Sequence, residues 1–151
     1  MGFVYAMKTL EQGRAGVGSG CVGIMRHAQE VAAVYAQQRV TMGKPICKHQ
    51  AIAFMIADMA TKVESMRMML YQAAWMKDMG SKDVAKYASM AKYYCCETVQ
   101  DIVGKAVQIH GGYGYMKDYK VERLYRDARV MTIYEGTSQV QQMVISRAVL
   151  K

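Results

Sequence analysis

The sequence predicts an all-α protein, an antiparallel up-down four-helix bundle, on three observations. Proline occurs once, at Pro45, in a chain of 151 residues that is 52% hydrophobic. Long helices suit that composition, whereas strands need more frequent turn residues. Apolar residues recur at helical spacing over stretches far longer than a strand. The glycine-bearing breaks between them are short, which favours antiparallel neighbours. The length fits one domain with a real core.

The first helix is predicted from about Phe3 to Arg39, with Val22, Met25, Ala28, Ala32 and Tyr35 on one buried face. Thr41-Met42-Gly43-Lys44-Pro45 breaks it. A second helix begins near His49, carries Ile52, Met55, Ile56, Met59, Val63, Met66 and Leu70 on a stripe, and closes at Gly80 as a C-cap. The third runs from about Lys82 to His110, with Val84, Tyr87, Ala91, Tyr94, Ile102 and Val103 inward, and Gly111-Gly112-Tyr113-Gly114 stops it. A helical turn around Val121 to Arg126 follows. The last helix begins near Gln139, capped by Thr137 or Ser138, and carries Val140, Met143, Val144 and Leu150. No strand pattern competes. Apolar residues beyond a single stripe, including Tyr71, Trp75 and Tyr93, indicate burial against a second subunit or another domain.

Composition narrows the function classes. The 15 methionines are gap-fillers of an irregular core. Cys21, Cys47, Cys95 and Cys96 form no C-x-x-C, and Cys95 and Cys96 are expected on different sides of a helix. Free thiols in a reducing cytosol fit better than a zinc site or disulfide framework. None of the three histidines stands at ligand spacing from another histidine or a cysteine, so no metal site is predicted. No apolar stretch approaches ~20 uncharged residues, so no membrane span is predicted either. The formal charge of +8 brings nucleic acid to mind, but Lys117, Lys120, Arg123, Arg126 and Arg129 are interleaved with Asp118, Glu122 and Asp127. No recognition motif accompanies them, and a smaller polyanion such as a nucleotide cofactor suits the field.

Ile133-Tyr134-Glu135-Gly136-Thr137-Ser138-Gln139 places one carboxylate on a tight turn, between an aromatic ring and a glycine, just before the last helix. Apolar bulk disfavours a charged carboxylate and improves it as a general base; a solvated turn residue is the plainer alternative. Gly18-Ser19-Gly20-Cys21-Val22-Gly23 fits G-x-G-x-x-G literally, yet it lies inside a helix with no strand upstream. Close helix–helix approach explains it better than a dinucleotide site. Gly13 and Gly16 flank Arg14 and allow another backbone to approach its guanidinium. Arg39 and Thr41, with Gly43 beyond, offer a cation, a hydroxyl and backbone amides to a phosphate. An ordinary basic helix terminus is the competing reading. His49-Gln50 opens the second helix and Gln108-Ile109-His110-Gly111-Gly112 closes the third, as hydrogen-bonding or capping groups.

Leu10-Glu11-Gln12-Gly13-Arg14, Gln38 to Lys44, His49-Gln50-Ala51-Ile52, Ala106 to Gly114, Val121 to Ala128 and the Glu135 segment occur in one order and spacing. Together they closely resemble the C-terminal helical domain of the acyl-CoA dehydrogenase family, with the short- and medium-chain, butyryl-CoA dehydrogenase-like pattern. The resemblance spans nearly all of residues 1–151. It implies α,β-dehydrogenation of an acyl-CoA thioester, with Glu135 removing the α-proton and the β-hydrogen leaving as hydride to FAD. By the same resemblance Tyr134 and Gly136 lie along the substrate, Arg14 serves the active site, and Glu11 falls where CoA contacts are expected. Arg39, Val40, Thr41, His49, Gln50, Gln108, Ile109, His110, Gly111, Gly112, Thr137, Ser138 and Gln139 are implied to touch FAD, much of it on a neighbouring subunit's cofactor. A homo-oligomer, a dimer or tetramer, follows, with an electron-transferring flavoprotein as redox partner. A cytoplasmic location, or the mitochondrial matrix in a eukaryote, is the matching expectation.

Some family members carry the base on the first helix, where this chain has Gly13; Glu135 on the turn follows the short- and medium-chain pattern, and Gly13 leans toward short acyl groups. The family's N-terminal helical and middle β-domains are absent from these residues. The expectation is therefore a bundle that self-associates but does not turn over acyl-CoA alone. The competing reading is a non-catalytic helical oligomerisation or interaction module.

Overall fold

The computed structural model describes residues 2–150, with side chains from residue 13 onward and, before it, those of Tyr5 and Thr9. Three long helices, α1 (Gly2–Gln38), α2 (Gln50–Asp78) and α3 (Val84–His110), are followed by a short α4 (Val121–Ala128) and by α5 (Ser138–Val149). The predicted boundaries hold to within a few residues. One correction concerns the break after α1, where Val40–Thr41 (β1) and Lys44–Pro45 (β2) pair as a two-residue antiparallel hairpin. Met42 and Gly43 turn it with positive φ. Such a hairpin is too short to leave a period-2 pattern.

Cross-helix contacts fix the directions. Arg14 meets Ser89, Cys21 meets Cys96 and Tyr35 meets His110, each pair 75 residues apart, so α1 and α3 run parallel in constant register. Lys62 meets Asp101 while Asp58 meets Lys105, which makes α2 antiparallel to α3. Ser138 meets Glu97 while Gln142 meets Tyr93, so α5 is antiparallel to α3 as well. Alternating directions make the up-down-up-down bundle, with α4 packed against α3 within the longer connection to α5.

The seams follow alternating three- and four-residue steps. Arg14, Gly18, Cys21, Met25, Ala28 and Ala32 of α1 are buried, as are Ser89, Lys92, Cys96, Val99, Val103, Ala106 and His110 of α3. Such spacing keeps one stripe facing its neighbour over many turns. Met59, Val63, Met66, Leu70 and Ala73 do the same for α2. Helix α3 is central and buries a second stripe, Ala88, Ala91, Cys95, Thr98, Ile102 and Ile109. Hence Cys95 and Cys96 are both buried, although they leave the helix in different directions; the side of α3 that faces water here carries Tyr94, Glu97 and Asp101. Tyr94 is corrected in the other direction, standing 49% exposed. In α5 the buried residues are Ser138 and Gln141, while Val140, Met143 and Leu150 face outward.

Close helix approach holds for Gly18, where a Cβ would stand 2.7 Å from Leu70 Cδ2; Gly20 and Gly23 face open space. Phe54, Met68, Tyr71, Trp75 and Met79 leave a second, exposed apolar stripe on α2. Between α2 and α3, Asp58, Lys62, Asp101 and Lys105 form a four-membered ion-pair network. Among the described residues, no helix is long and apolar enough to cross a membrane.

Candidate active site and cofactor cavity

Thr137 caps α5, its hydroxyl accepting from the Val140 N–H at 3.4 Å. The turn before it holds Glu135 at φ 55° and Gly136 at φ 87°. A left-handed residue that is not glycine costs about 1–3 kcal/mol and persists only where its surroundings over-determine it. Here buried side chains grip the turn's carbonyls. Gln141 Nε2 donates to Glu135 O at 3.2 Å and to Gly136 O at 3.0 Å, and Lys92 Nζ donates to Gly136 O at 2.8 Å.

The Glu135 carboxylate lies against Gly13 of α1, where a Cβ would come within 2.5 Å of Oε2. Gly13 is therefore the clearance that lets the carboxylate occupy this place. Arg14 is 5% exposed and donates from Nη1 to Ser89 Oγ at 3.3 Å. Glu135 Oε2 and Arg14 Nε are both buried without a hydrogen-bond partner. An unpartnered acceptor and an unpartnered donor in one region are capacity for a polar ligand, because buried polar groups are otherwise paired. Chemically the site offers a proton acceptor against Gly13 and a buried cation on the next residue of α1.

Beneath the turn, Cys21 Sγ and Cys96 Sγ are 3.6 Å apart and both thiols are free. The shared hydrogen bond, reinforced by burial, pushes the Cys21 thiol up; the same bond holds Cys96 down against burial, with Lys92 assisting. Burial pushes Cys95 up to about 12. Tyr134 Oη donates to Met131 Sδ at 3.1 Å, and burial together with the Cys21, Cys96 and Glu135 charges raises its phenol.

The far end of α1 carries a different arrangement, roughly 40 Å away at 1.5 Å per residue. A cavity of about 620 Å³ is lined by Arg39, Thr41, His49, Ile109, His110, Gly111 and Gly112, together with Tyr35, Ile46, Ile52, Tyr113 and Met116. Tyr35 and His110 stack with centroids 4.1 Å apart, and the Arg39 guanidinium lies 5.2 Å from the Tyr113 ring centroid. His110 Nδ1 donates to Ala106 O at 2.8 Å, leaving Nε2 as acceptor, and burial holds this imidazole below its usual range. His49 Nε2 lies 3.3 Å from Thr41 Oγ1 and 3.4 Å from Thr41 O. A cation, a hydroxyl, glycine backbone and stacked rings around an open cavity suit a phosphate-bearing aromatic ligand.

The expected cofactor residues thus divide. Seven of them line this cavity: Arg39, Thr41, His49, Ile109, His110, Gly111 and Gly112. Val40 and Gln50 are exposed beside it. Gln108 opens instead onto a cleft with Tyr115, Lys117 and Arg126, because successive helix residues point about 100° apart. Thr137, Ser138 and Gln139 stand at the Glu135 end, where they share a small cavity with Glu97 and Arg129. The Glu11 side chain lies outside the described residues. Sequence reasoning missed Lys92, Ser89, Gln141, Tyr113 and Met116. Of these, only Lys92 carried a signal, a lysine on an otherwise small and apolar helix stripe.

Comparison with known proteins identifies the family and the fold. Residues 1–150 match the family described as acyl-CoA dehydrogenase, C-terminal domain. The caffeyl-CoA reductase-Etf complex subunit CarC of Acetobacterium woodii is 59% identical over 99% of this chain and 39% of its own length. The 3-(aryl)acrylate reductase of Clostridium sporogenes is 54% identical over 99% of this chain and 40% of its length. The structure of butyryl-CoA dehydrogenase from Megasphaera elsdenii superimposes with a TM-score of 0.96 at 43% identity, covering 99% of this chain and 39% of that one. The chain spans about two-fifths of the length of these relatives. Matched along its length by the family's C-terminal domain, the chain belongs to the acyl-CoA dehydrogenase family.

Proposed function

We propose that this chain supplies the base and part of the flavin site of an FAD-dependent enzyme acting on acyl-CoA thioesters. The observation that carries the reading is the Glu135 carboxylate: held on a left-handed turn, cleared by Gly13, with Oε2 buried and unpartnered. An α-proton of a thioester is weakly acidic, so its removal needs a fixed, poorly solvated base and donors for the enolate-like charge. Glu135 Oε2 takes the α-proton in this reading, and Tyr134 and Gly136 line the substrate beside it. Arg14 contributes a nearby positive charge.

The residues at the far end fit FAD. Arg39 and Thr41 would hold phosphate oxygens, His49 and His110 offer ring nitrogens, and Gly111 and Gly112 let a ligand approach the backbone. When bound, the flavin supplies a hydride acceptor for the β-hydrogen. The separation of the two ends supports a homo-oligomer, in which one chain's Arg39 end serves the cofactor used by a neighbour's Glu135. The exposed Tyr71–Trp75 stripe of α2 supports the same self-association.

Reduction of an enoyl-CoA is a second direction for the same residues. The names of the two reductase relatives favour it, and Glu135 then returns a proton to the α-carbon by microscopic reversibility. The Etf complex in one of those names supports an electron-transferring flavoprotein as partner. A reducing cytosol, or the matrix in a eukaryote, suits the free thiols. The single-proton chemistry is tested by Glu135→Gln in the flavin-loaded protein containing this chain. Turnover falls about 10²–10⁴-fold with flavin still bound; unchanged turnover refutes the base and favours a non-catalytic interaction module. The 151 residues by themselves are expected to self-associate without turnover when given FAD, an acyl-CoA and an electron acceptor.

A further inference from the structure

Lys92 is the largest fully buried side chain of the described residues. It occupies a seam position of α3 between Ser89, which meets Arg14, and Cys96, which meets Cys21. An ammonium without water requires strong acceptors in compensation. Its hydrogen bond goes to the Gly136 carbonyl at 2.8 Å. That carbonyl belongs to the residue following Glu135, in a stretch where both residues have positive φ.

A lysine that merely filled space would be replaceable by methionine of similar length. The geometry here has more content. Rotating the 136–137 peptide away from its present orientation withdraws the acceptor from a buried charge, so the charge resists the rotation. Gln141, also fully buried, holds the same carbonyl and that of Glu135 from the α5 side. The turn is thus clamped from two helices, by a cation on α3 and an amide on α5. The cation is the stronger donor of the two.

We propose that Lys92 is a positioning residue for the Glu135 turn: its buried ammonium, by holding the Gly136 carbonyl, keeps Glu135 left-handed with its carboxylate against Gly13. The consequence for turnover rests on the reading of Glu135 as the base; the hold on the turn does not.

Lys92→Met keeps the stem and removes the charge and donor. In hydrogen exchange on the 151-residue chain, the amides of Tyr134, Val140 and Gln141 flanking the turn are expected to exchange at least about 10-fold faster in this variant, while those around Ile102 and Val103 keep their rates. In the flavin-loaded protein, kcat falls on the order of 10²-fold and KM changes little, as for a misplaced reacting group. Should the variant not fold, nitrogen NMR of the unmodified chain reads the same contact. Slowly exchanging Lys92 ammonium protons coupled to the Gly136 carbonyl support the proposal, and rapid exchange without coupling overturns it. Flanking amides that exchange as in the parent overturn it too, even where Glu135→Gln abolishes turnover. Conversely, if Glu135→Gln is silent but the flanking amides accelerate, the base reading fails and the Lys92 clamp stands.

Discussion

The two ends of α1 are built on opposite plans. At the Glu135 end, polar side chains are buried: Arg14, Ser89, Lys92, Ser138 and Gln141 are all removed from water, and Lys92 and Gln141 hold the turn's carbonyls. At the Arg39 end, Arg39 and Thr41 are exposed and His49 half-buried around an open cavity, with His110 buried at its wall and Met42 92% exposed at the hairpin tip. The difference teaches which chemistry a chain can prepare alone. Aiming a carboxylate within a fraction of an ångström calls for a rigid, buried scaffold. Gathering a large charged ligand calls for accessible donors that further protein surface can complete.

Substitutions at the two ends should therefore produce different defects. The largest is expected from Gly13→Val. The contact at 2.5 Å is to the end of a flexible side chain, so the carboxylate swings aside rather than the fold breaking. In the flavin-loaded protein, kcat should fall on the order of 10²-fold while flavin affinity and melting temperature stay near the parent values. Arg39→Gln should do the reverse. Loss of a charged hydrogen bond worth about 1.5–3 kcal/mol weakens flavin binding about 10- to 100-fold by titration, and kcat at saturating flavin is unchanged. If either variant shows the other's defect, the separation of roles fails.

Smaller effects concern the scaffold between the ends. Hydrogen bonds from Lys105 and Lys62 hold the Asp58 carboxyl below its usual range. Burial pushes Asp101 up, but the same two lysines outweigh it and the net shift is down. A depressed carboxylate contributes stability above its unfolded value near pH 4 that is lost as pH falls through the folded one. Lys62→Met should cost about 1 kcal/mol in urea unfolding at pH 7, modest because the network is partly solvated, and should flatten the acid limb. The smallest effect is expected at His110. Burial lowers its pKa, so the unfolded chain binds a proton first, and stability declines as pH drops from about 6.5 through the folded value. His110→Asn should remove that decline in thermal melts between pH 7 and 5.

Much of the scaffold was legible because periodicity reports burial directly. Met25, Ala28, Ala32, Met59, Val63 and Ile102 fall inward as their spacing requires. Thr137 was legible as a cap because hydroxyls before a helix have a specific use there. Arg14 was marked by its flanking glycines and by the resemblance, but its burial was not legible, since an arginine is exposed by default and its hydrogen bond goes to Ser89 across the seam. The positive φ of Glu135 was not legible, because propensity assigns that conformation to glycine, asparagine or aspartate. A long-range grip from Lys92 and a local one from Gln141, which follows the turn on α5, hold it. The split of the expected flavin residues between two ends was equally hidden, for motif spacing says nothing about which end of a 37-residue helix a later segment returns to.

The most direct test follows the α-proton itself. The flavin-loaded protein, given an acyl-CoA in D₂O without an electron acceptor, should exchange the substrate's α-hydrogen for deuterium, read by mass spectrometry. The account predicts exchange in the parent protein and in Arg39→Gln at saturating flavin, and its loss in Glu135→Gln. Undiminished exchange in Glu135→Gln would contradict it, because the proton would then be leaving through another group.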